Sequence, residues 1–332
     1  MTQTIMEREA KQAPEIIENQ LNTNQAQAQA IGEKLRRFDP KMVMIIGRGS
    51  SDHAGVFGKY LIEIEAGVPT FAAAPSVASV YGKQLKLEQA LVIVISQSGR
   101  SPDIIAQAEM AKAAGAYCVA LVNDESSPLK DIVDDLLPLK AGAEISVAAT
   151  KSYLATLSAL LQMTAYWTEN QDLIAALDTL PSVLQAIVDS KPQLTAASID
   201  GVSNMVVLGR GLGYAVSKEM ALKLKEVSSI HAEAFSSAEF LHGPVTLVEQ
   251  GLAILNCAVN DESAVSHQEQ IDEVGLRGAD LVHLRQTDPE VHPRLAPLVV
   301  LQRFYLDVAK VAVSRGFNPD EPKGLKKVTK TV

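Results

Sequence analysis

Unbroken apolar runs, each closed by glycine or small polar residues and followed by an amphipathic stretch, punctuate this chain. Met42 to Ile46 leads into Gly-Arg-Gly-Ser-Ser, and an amphipathic stretch follows from Asp52 to Glu65. Ala90 to Ser96 leads into Gln-Ser-Gly and then the helix-like PDIIAQAEMAKAAG. A third run, Ala116 to Val122, ends near a Ser-Ser-Pro turn. Short apolar runs bounded by turn signals read as strands buried on both faces of a parallel sheet. Strands alternating with helices predict an α/β chain with a doubly wound parallel sheet and right-handed crossovers. Ahead of the first strand, residues 4–37 are rich in Glu, Gln, Ala and Leu and predict one or two helices.

The pattern then repeats. Met205-Val-Val-Leu-Gly-Arg-Gly echoes Val43-Met-Ile-Ile-Gly-Arg-Gly, so that Gly209 stands where Gly47 stood. GLAILNCAVN falls at the place of ALVIVISQSG, and ADLVHLRQTD at that of AYCVALVNDE. One matching strand would mean little, but three in the same order indicate duplication. The halves diverge after their second strand, where SQSGRSPD faces CAVNDESA, so only the first keeps a hydroxyl-rich loop. We expect an N-terminal helical segment over 1–38, a first α/β domain over 39–190, a second over 191–314 and a tail over 315–332. A polar linker is expected around Asp189 to Gly201.

Composition narrows the setting. Apolar residues at 47% and charged residues at 21% are those of a folded globule. No apolar run approaches the roughly 20 residues that span a bilayer. The N-terminus is polar and acidic where a secretory signal would be basic and then apolar. Cys118 and Cys257 sit inside strand-like runs, which predicts neither a disulfide framework nor a zinc site, and no metal or cofactor is expected. The cytoplasm is the expected compartment. A net charge of −9 without a basic cluster argues against nucleic acid as a partner. An anionic metabolite remains admissible if backbone N–H groups and hydroxyls bind it locally.

Ser96-Gln97-Ser98-Gly99-Arg100-Ser101 lies between a strand and a helix beginning near Pro102. A helix N-terminus offers unpaired N–H groups and a positive dipole end, and the hydroxyls add donors. Gly49, Ser50 and Ser51 of the first glycine loop would lie beside it. The spacing fits a phosphate cradle and a plain serine-capped turn equally well. There is no third glycine for a dinucleotide fingerprint and no GxxxxGK[ST] loop. Farther on, Glu219, Lys223 and Glu226 are spaced four and three residues apart, which puts them on one helical face. A solvated charge stripe would have the same spacing.

SQSGRSPD, the segment VAATKSY at Val147 to Tyr153, and ALKLKEVSSIHAEAFSSAEFLHGP at Ala221 to Pro244 resemble the sugar isomerase (SIS) family. The likeness is greatest to the isomerase half of glucosamine-6-phosphate synthases and runs from about Lys41 to the C-terminal tail. It implies two tandem SIS domains of flavodoxin-like topology. It implies a phosphosugar held by Ser51, Ser96, Gln97, Ser98 and Ser101, with Val147 and Ala148 in a further substrate loop where Ala149 replaces the family's serine. Glu226 falls at the position of the base that moves a proton between carbons 1 and 2. Lys223 would counter the charge on the developing enediol or enolamine oxygen, and Glu219 would orient Lys223. His242 matches the ring-opening histidine, which in the relatives comes from the neighbouring subunit and so implies a homodimer. His231 is expected to be structural more often than substrate-bound.

Two departures bear on the reaction. The synthases carry an amidotransferase half with a terminal cysteine, which this sequence lacks. Aligning Asn318-Pro-Asp-Glu-Pro with the family tail puts Arg315 at the position of an imine-forming lysine, and a guanidinium stays protonated and cannot form an imine. The resemblance then implies deamination of glucosamine 6-phosphate, without a metal, to fructose 6-phosphate and ammonia. Deglycation of fructosamine-type 6-phosphates, aldose–ketose isomerisation and a non-enzymatic phosphosugar sensor are the alternatives.

Overall fold

The computed structural model describes residues 3–287 and 289–327. Two helices, α1 (Ile5–Lys11) and α2 (Ala13–Phe38), come first. There follow β1 (Met42–Ile46), α3 (Ser50–Glu65), β2 (Thr70–Ala72), the one-turn α4 (Ser76–Ser79), β3 (Ala90–Ser96), α5 (Pro102–Ala113), β4 (Tyr117–Val122) and β5 (Asp135–Pro138). Helices α6 (Lys151–Thr168) and α7 (Gln171–Asp189) lead to the second half. It comprises β6 (Asn204–Gly209), α8 (Leu212–Ser228), β7 (His231–Ser236), α9 (Ser237–Phe240), β8 (Ala253–Ala258), α10 (Ala264–Leu276), β9 (Asp280–Arg285) and α11 (Ala296–Ser314).

Both sheets are parallel throughout. The first runs β2-β1-β3-β4-β5 and the second β7-β6-β8-β9. These are flavodoxin-type orders, in which ligands gather at the carboxyl ends of the strands where the winding reverses. The expected duplication is visible in the registers: β1 pairs β3 as β6 pairs β8, and the first sheet adds β5 at its edge. It extends to the backbone. Gly49 before α3 has φ 55° and ψ −127°, and Gly211 before α8 has φ 52° and ψ −125°. Both turns use a conformation that side chains with a Cβ rarely adopt.

The chain divides into two compact units. One holds the first sheet, with residues 15–143, 151–179 and 326–327; the other holds the second sheet, with residues 3–14, 144–150 and 180–325. In the first, Met44, Val92, Val94, Ile104, Cys118 and Ala120 form a core between sheet and helices. Helix α6 is buried along almost its whole length, and α3 packs against it. In the second, Val206, Leu208, Phe240, Ile254 and Ile271 play the corresponding part. Helix α11 packs on α8 and on α1. The stretch expected as a polar linker is stitched into this unit: Asp307 accepts from the Gln193 and Leu194 amides at 2.8 and 3.0 Å.

Candidate active site

The hydroxyl-rich loop belongs to the five-stranded unit. Ser96 ends β3, and its hydroxyl accepts from the Gly99 amide at 3.0 Å, closing the turn. The Gln97 carbonyl accepts from the Asn123 and Asp124 amides at 3.1 and 3.2 Å, and Ser127 Oγ donates to the Gly99 carbonyl at 2.8 Å. These bonds anchor the back of the loop to the segment after β4. Ser101 stands at the N-cap of α5, with Pro102 opening the helix, yet its hydroxyl makes no capping bond. The structure therefore departs from a plain serine-capped turn. Gly49, Ser50 and Ser51 sit at the start of α3, after the neighbouring strand β1. The two loops are tied by Arg48, whose Nε and a terminal nitrogen both lie 2.9 Å from Oδ2 of the fully buried Asp103.

Gly99 is the loop residue with least room. Its φ is +61°, and a Cβ there would lie 2.0 Å from Ser127 Oγ. Gly99→Ala must strain the backbone and push Ser127 off the loop, at a cost of about 1–3 kcal/mol. We expect a lowered thermal midpoint together with weakened binding of inorganic phosphate, read by calorimetry. Unchanged phosphate binding would exclude the loop as an anion site.

The second unit has no such hydroxyl-rich loop. Where Arg48 finds Asp103, the matching Arg210 has one terminal nitrogen buried without a hydrogen-bond partner. Where the first half has serines, Asp261 binds the Ser263 amide at 2.8 Å and Glu262 is paired with Arg294 at 2.7 and 2.8 Å. Two carboxylates there disfavour a phosphate.

This unit instead carries the charged helix. Glu219, Lys223 and Glu226 line one face of α8, and that face is turned inward. Lys223 Nζ lies 3.2 Å from Glu219 Oε1 and 2.5 Å from Glu226 Oε2. The Lys223 side chain is 1% exposed, Glu219 0% and Glu226 21%, so Glu226 is the one of the three that solvent or a ligand can reach. Burial disfavours the Lys223 charge, but Glu219 and Glu226 outweigh it and raise its pKa above the ordinary lysine value. Tyr305, one helix over on α11, donates its hydroxyl to Glu219 Oε1 at 3.2 Å. Sequence reasoning did not find Tyr305, because nothing in its local pattern distinguishes it from the apolar residues that bury α11.

The histidines are placed apart. His231 opens β7, just past the end of α8, and is exposed. His242 follows α9, beyond the other end of β7, and is exposed as well. Since Glu226 lies in the last turn of α8, strand and helix geometry separates it from His242 of the same chain by on the order of 20 Å. The segment before His242 is well anchored. Phe240 is in the core, and Ser237 Oγ lies 2.9 Å from Nδ1 of the buried His267. His267 Nε2 meets Asn256 Oδ1 at 2.7 Å, and burial, with the Arg210 charge, pushes its pKa down to about 4.

Val147 and Ala148 belong to a segment of the second unit that α1 and the tail hold in place, with the Val147 amide donating to the Asp320 carbonyl at 3.0 Å. Arg315 spends its guanidinium on backbone, reaching the carbonyls of Ser228 at 3.3 Å, Ile199 at 3.1 Å and Val202 at 2.9 Å. It fastens the end of α8 to the residues before β6. Both cysteines are buried thiols, and burial pushes each up to about 12. Among the described residues no cluster of His, Cys, Asp or Glu is arranged to hold a metal ion, and no helix is long and apolar enough to cross a membrane.

Two parallel sheets of this order, with a hydroxyl loop after β3 and an acid–lysine–acid helix after β6, define a duplicated, doubly wound α/β architecture. The SIS domain profile matches residues 38–166 and 199–288, and the chain belongs to the SIS family. It is 36% identical over 304 residues to the isomerizing glutamine–fructose-6-phosphate aminotransferase of Bacillus licheniformis, an alignment covering 86% of this chain and 50% of that protein. The chain thus spans about half the length of the curated relatives it matches. Among solved structures, a protein from Silicibacter pomeroyi provisionally named a phosphosugar isomerase superposes with a TM-score of 0.89 at 39% identity, covering 96% of this chain and 100% of its own. The C-terminal domain of glucosamine-fructose-6-phosphate aminotransferase from Francisella tularensis gives 0.83 at 27% identity, covering 97% and 99%.

Proposed function

We propose that the chain is an enzyme that deaminates glucosamine 6-phosphate, taking up water and releasing fructose 6-phosphate and ammonia. The observation that carries this reading is Glu226, a half-sheltered carboxylate held at 2.5 Å by a lysine that is itself locked onto a buried second carboxylate. Ser51, Ser96, Gln97, Ser98 and Ser101 bind the phosphate, assisted by the start of α3 at Gly49 and Ser50 and by the N-terminus of α5. Val147 and Ala148 line the sugar.

The reaction needs a proton taken from carbon 2 of the open-chain aldehyde and a proton delivered to carbon 1. Glu226 performs both transfers, passing through an enolamine. The resulting imine at carbon 2 adds water, and the carbon–nitrogen bond breaks to leave the ketone and ammonia. Lys223 is too deeply buried to touch the sugar oxygen, so we assign it a narrower role: it fixes the position of Glu226, with Glu219 and Tyr305 behind it. Ring opening needs a proton donor at the ring oxygen, and the His242 imidazole supplies it from a second copy of the chain. Its distance from Glu226 within one chain supports that arrangement. His231 and Arg315 serve structure.

A second reading follows from the 36% identical relative, whose name describes nitrogen transfer to fructose 6-phosphate. Arg315 cannot form an imine, but Lys326 and Lys327 follow in the tail and carry primary amines. The test is a panel. Glucosamine 6-phosphate, a fructosamine 6-phosphate and fructose 6-phosphate are each supplied to purified protein, the last with and without ammonia and with borohydride to trap any imine. We expect turnover of the first above the others and no borohydride inactivation. Preference for the fructosamine substrate would make the enzyme a deglycase. Trapping on a tail lysine would establish the second reading instead.

A further inference from the structure

Three segments remote in sequence meet in the second unit. The Glu9 carboxylate on α1, 3% exposed, accepts from two successive amides, Ile145 at 2.5 Å and Ser146 at 3.1 Å. The next amide, Val147, donates to the backbone carbonyl of Asp320 at 3.0 Å. The Asp320 side chain in turn accepts from the first amides of α1, Ile5 at 2.9 Å and Met6 at 2.8 Å. Ser146 Oγ adds a longer bond of 3.4 Å to the Pro319 carbonyl. At its far end the segment is closed by Glu144, which accepts from the Thr150 amide at 3.0 Å. Behind α1, Gln302 on α11 donates to the Ala10 carbonyl at 2.9 Å.

Three consecutive amides, 145 to 147, are therefore held by acceptors on two other segments, and those segments are bonded to each other. We propose that Asp320 and Glu9 are positioning residues that set the place of the Val147–Ala148 backbone, so that the C-terminal tail governs how the sugar is held. The proposal rests on the reading of Val147 and Ala148 as sugar-lining residues. Neither carboxylate touches substrate: each acts through the loop. Asp320 has the greater leverage, because its side chain fixes α1, which carries Glu9, while its main chain fixes Val147. Charge-assisted bonds to helix-terminal and loop amides are stronger than neutral ones, and a short helix such as α1 depends on them.

The test separates this clasp from a simple helix cap. In Asp320→Ala the carbonyl that receives Val147 is still present. A side chain that only caps α1 would leave the Val147 amide protected. The clasp instead predicts that hydrogen exchange at Ile145, Ser146 and Val147 quickens by about tenfold or more. Glu9→Gln, which keeps one acceptor oxygen, is expected to quicken the same three amides to a smaller degree and serves as the probe if Asp320→Ala does not fold. On the phosphosugar that the wild type turns over, Asp320→Ala should raise KM about tenfold with kcat within about threefold, and Asp320→Asn should recover part of the loss. If the wild type turns over none of the sugars, the proposed function fails while the exchange measurement still decides the clasp, and the Kd for glucosamine 6-phosphate replaces KM. Wild-type protection at Val147 in Asp320→Ala would overturn the proposal, as would faster exchange with KM unchanged.

Discussion

Replacing Glu226 with Gln is expected to lower kcat by about 10²–10⁴-fold, the range for loss of a positioned acid–base group. Binding of glucosamine 6-phosphate should stay within about threefold, because the phosphate is held elsewhere and an amide has nearly the size of a carboxylate. The amide still offers an oxygen to Lys223, so the helix should not rearrange. What disappears is a group able to accept a proton from carbon 2 and return it to carbon 1. Steady-state rates with calorimetric binding on the same preparation separate the two quantities. A variant with more than a tenth of wild-type kcat would remove Glu226 from the chemistry.

Replacing Lys223 with Met should instead be felt as lost stability. Lys223 is 1% exposed and Glu219 0%, with the ammonium 3.2 Å from that carboxylate. Removing one partner of a buried pair leaves the other charge uncompensated, which costs about 3–5 kcal/mol, a large part of the 5–15 kcal/mol that typically separates folded from unfolded chains. Adding Glu219→Gln should restore much of it, since a neutral amide can remain buried and still accept from Tyr305. The denaturant midpoints of the two single variants and the double variant measure this. Because Lys223's folded pKa is raised, the pair's contribution is complete below the ordinary lysine value of 10.5 and is lost as pH climbs through the higher folded value. A Lys223→Met midpoint equal to the wild type would show that Glu219 is compensated by other groups.

The strands that proved legible in the sequence are those covered on both faces. β1, β3 and β4 form unbroken apolar runs and β6 and β8 nearly so, with one Asn each, because central parallel strands with helices on both sides meet no water; the exception is the edge strand β9, which carries Asp280, His283 and Arg285 and was legible through its match to β4. The elements that went unread lie at edges or at the centre of the helical layer. β2 is three residues long, β5 ends in Pro138, and β7 carries His231 and Glu233 because one side of it is exposed. Helix α6 is buried on every side, with its small polar residues inside as well, so it offers no 3.6-residue stripe to detect. At the candidate site, spacing placed Glu219, Lys223 and Glu226 on one face, but spacing is silent on whether that face points to water. The structure turns it inward and adds Tyr305 from a distant helix. Glu9 and Asp320 were likewise invisible, since what links them is a fold that brings the two ends of the chain to the same short loop. The exposed positions of Val265 and Leu276 on α10 have no explanation within the chain.

The most direct test of the account is to incubate the purified protein with glucosamine 6-phosphate and follow ammonia and fructose 6-phosphate together. Equimolar release of both is expected from the wild type, and neither above background from Glu226→Gln. Binding of the sugar phosphate without release of either product, or ammonia released undiminished by the Glu226 variant, would contradict it.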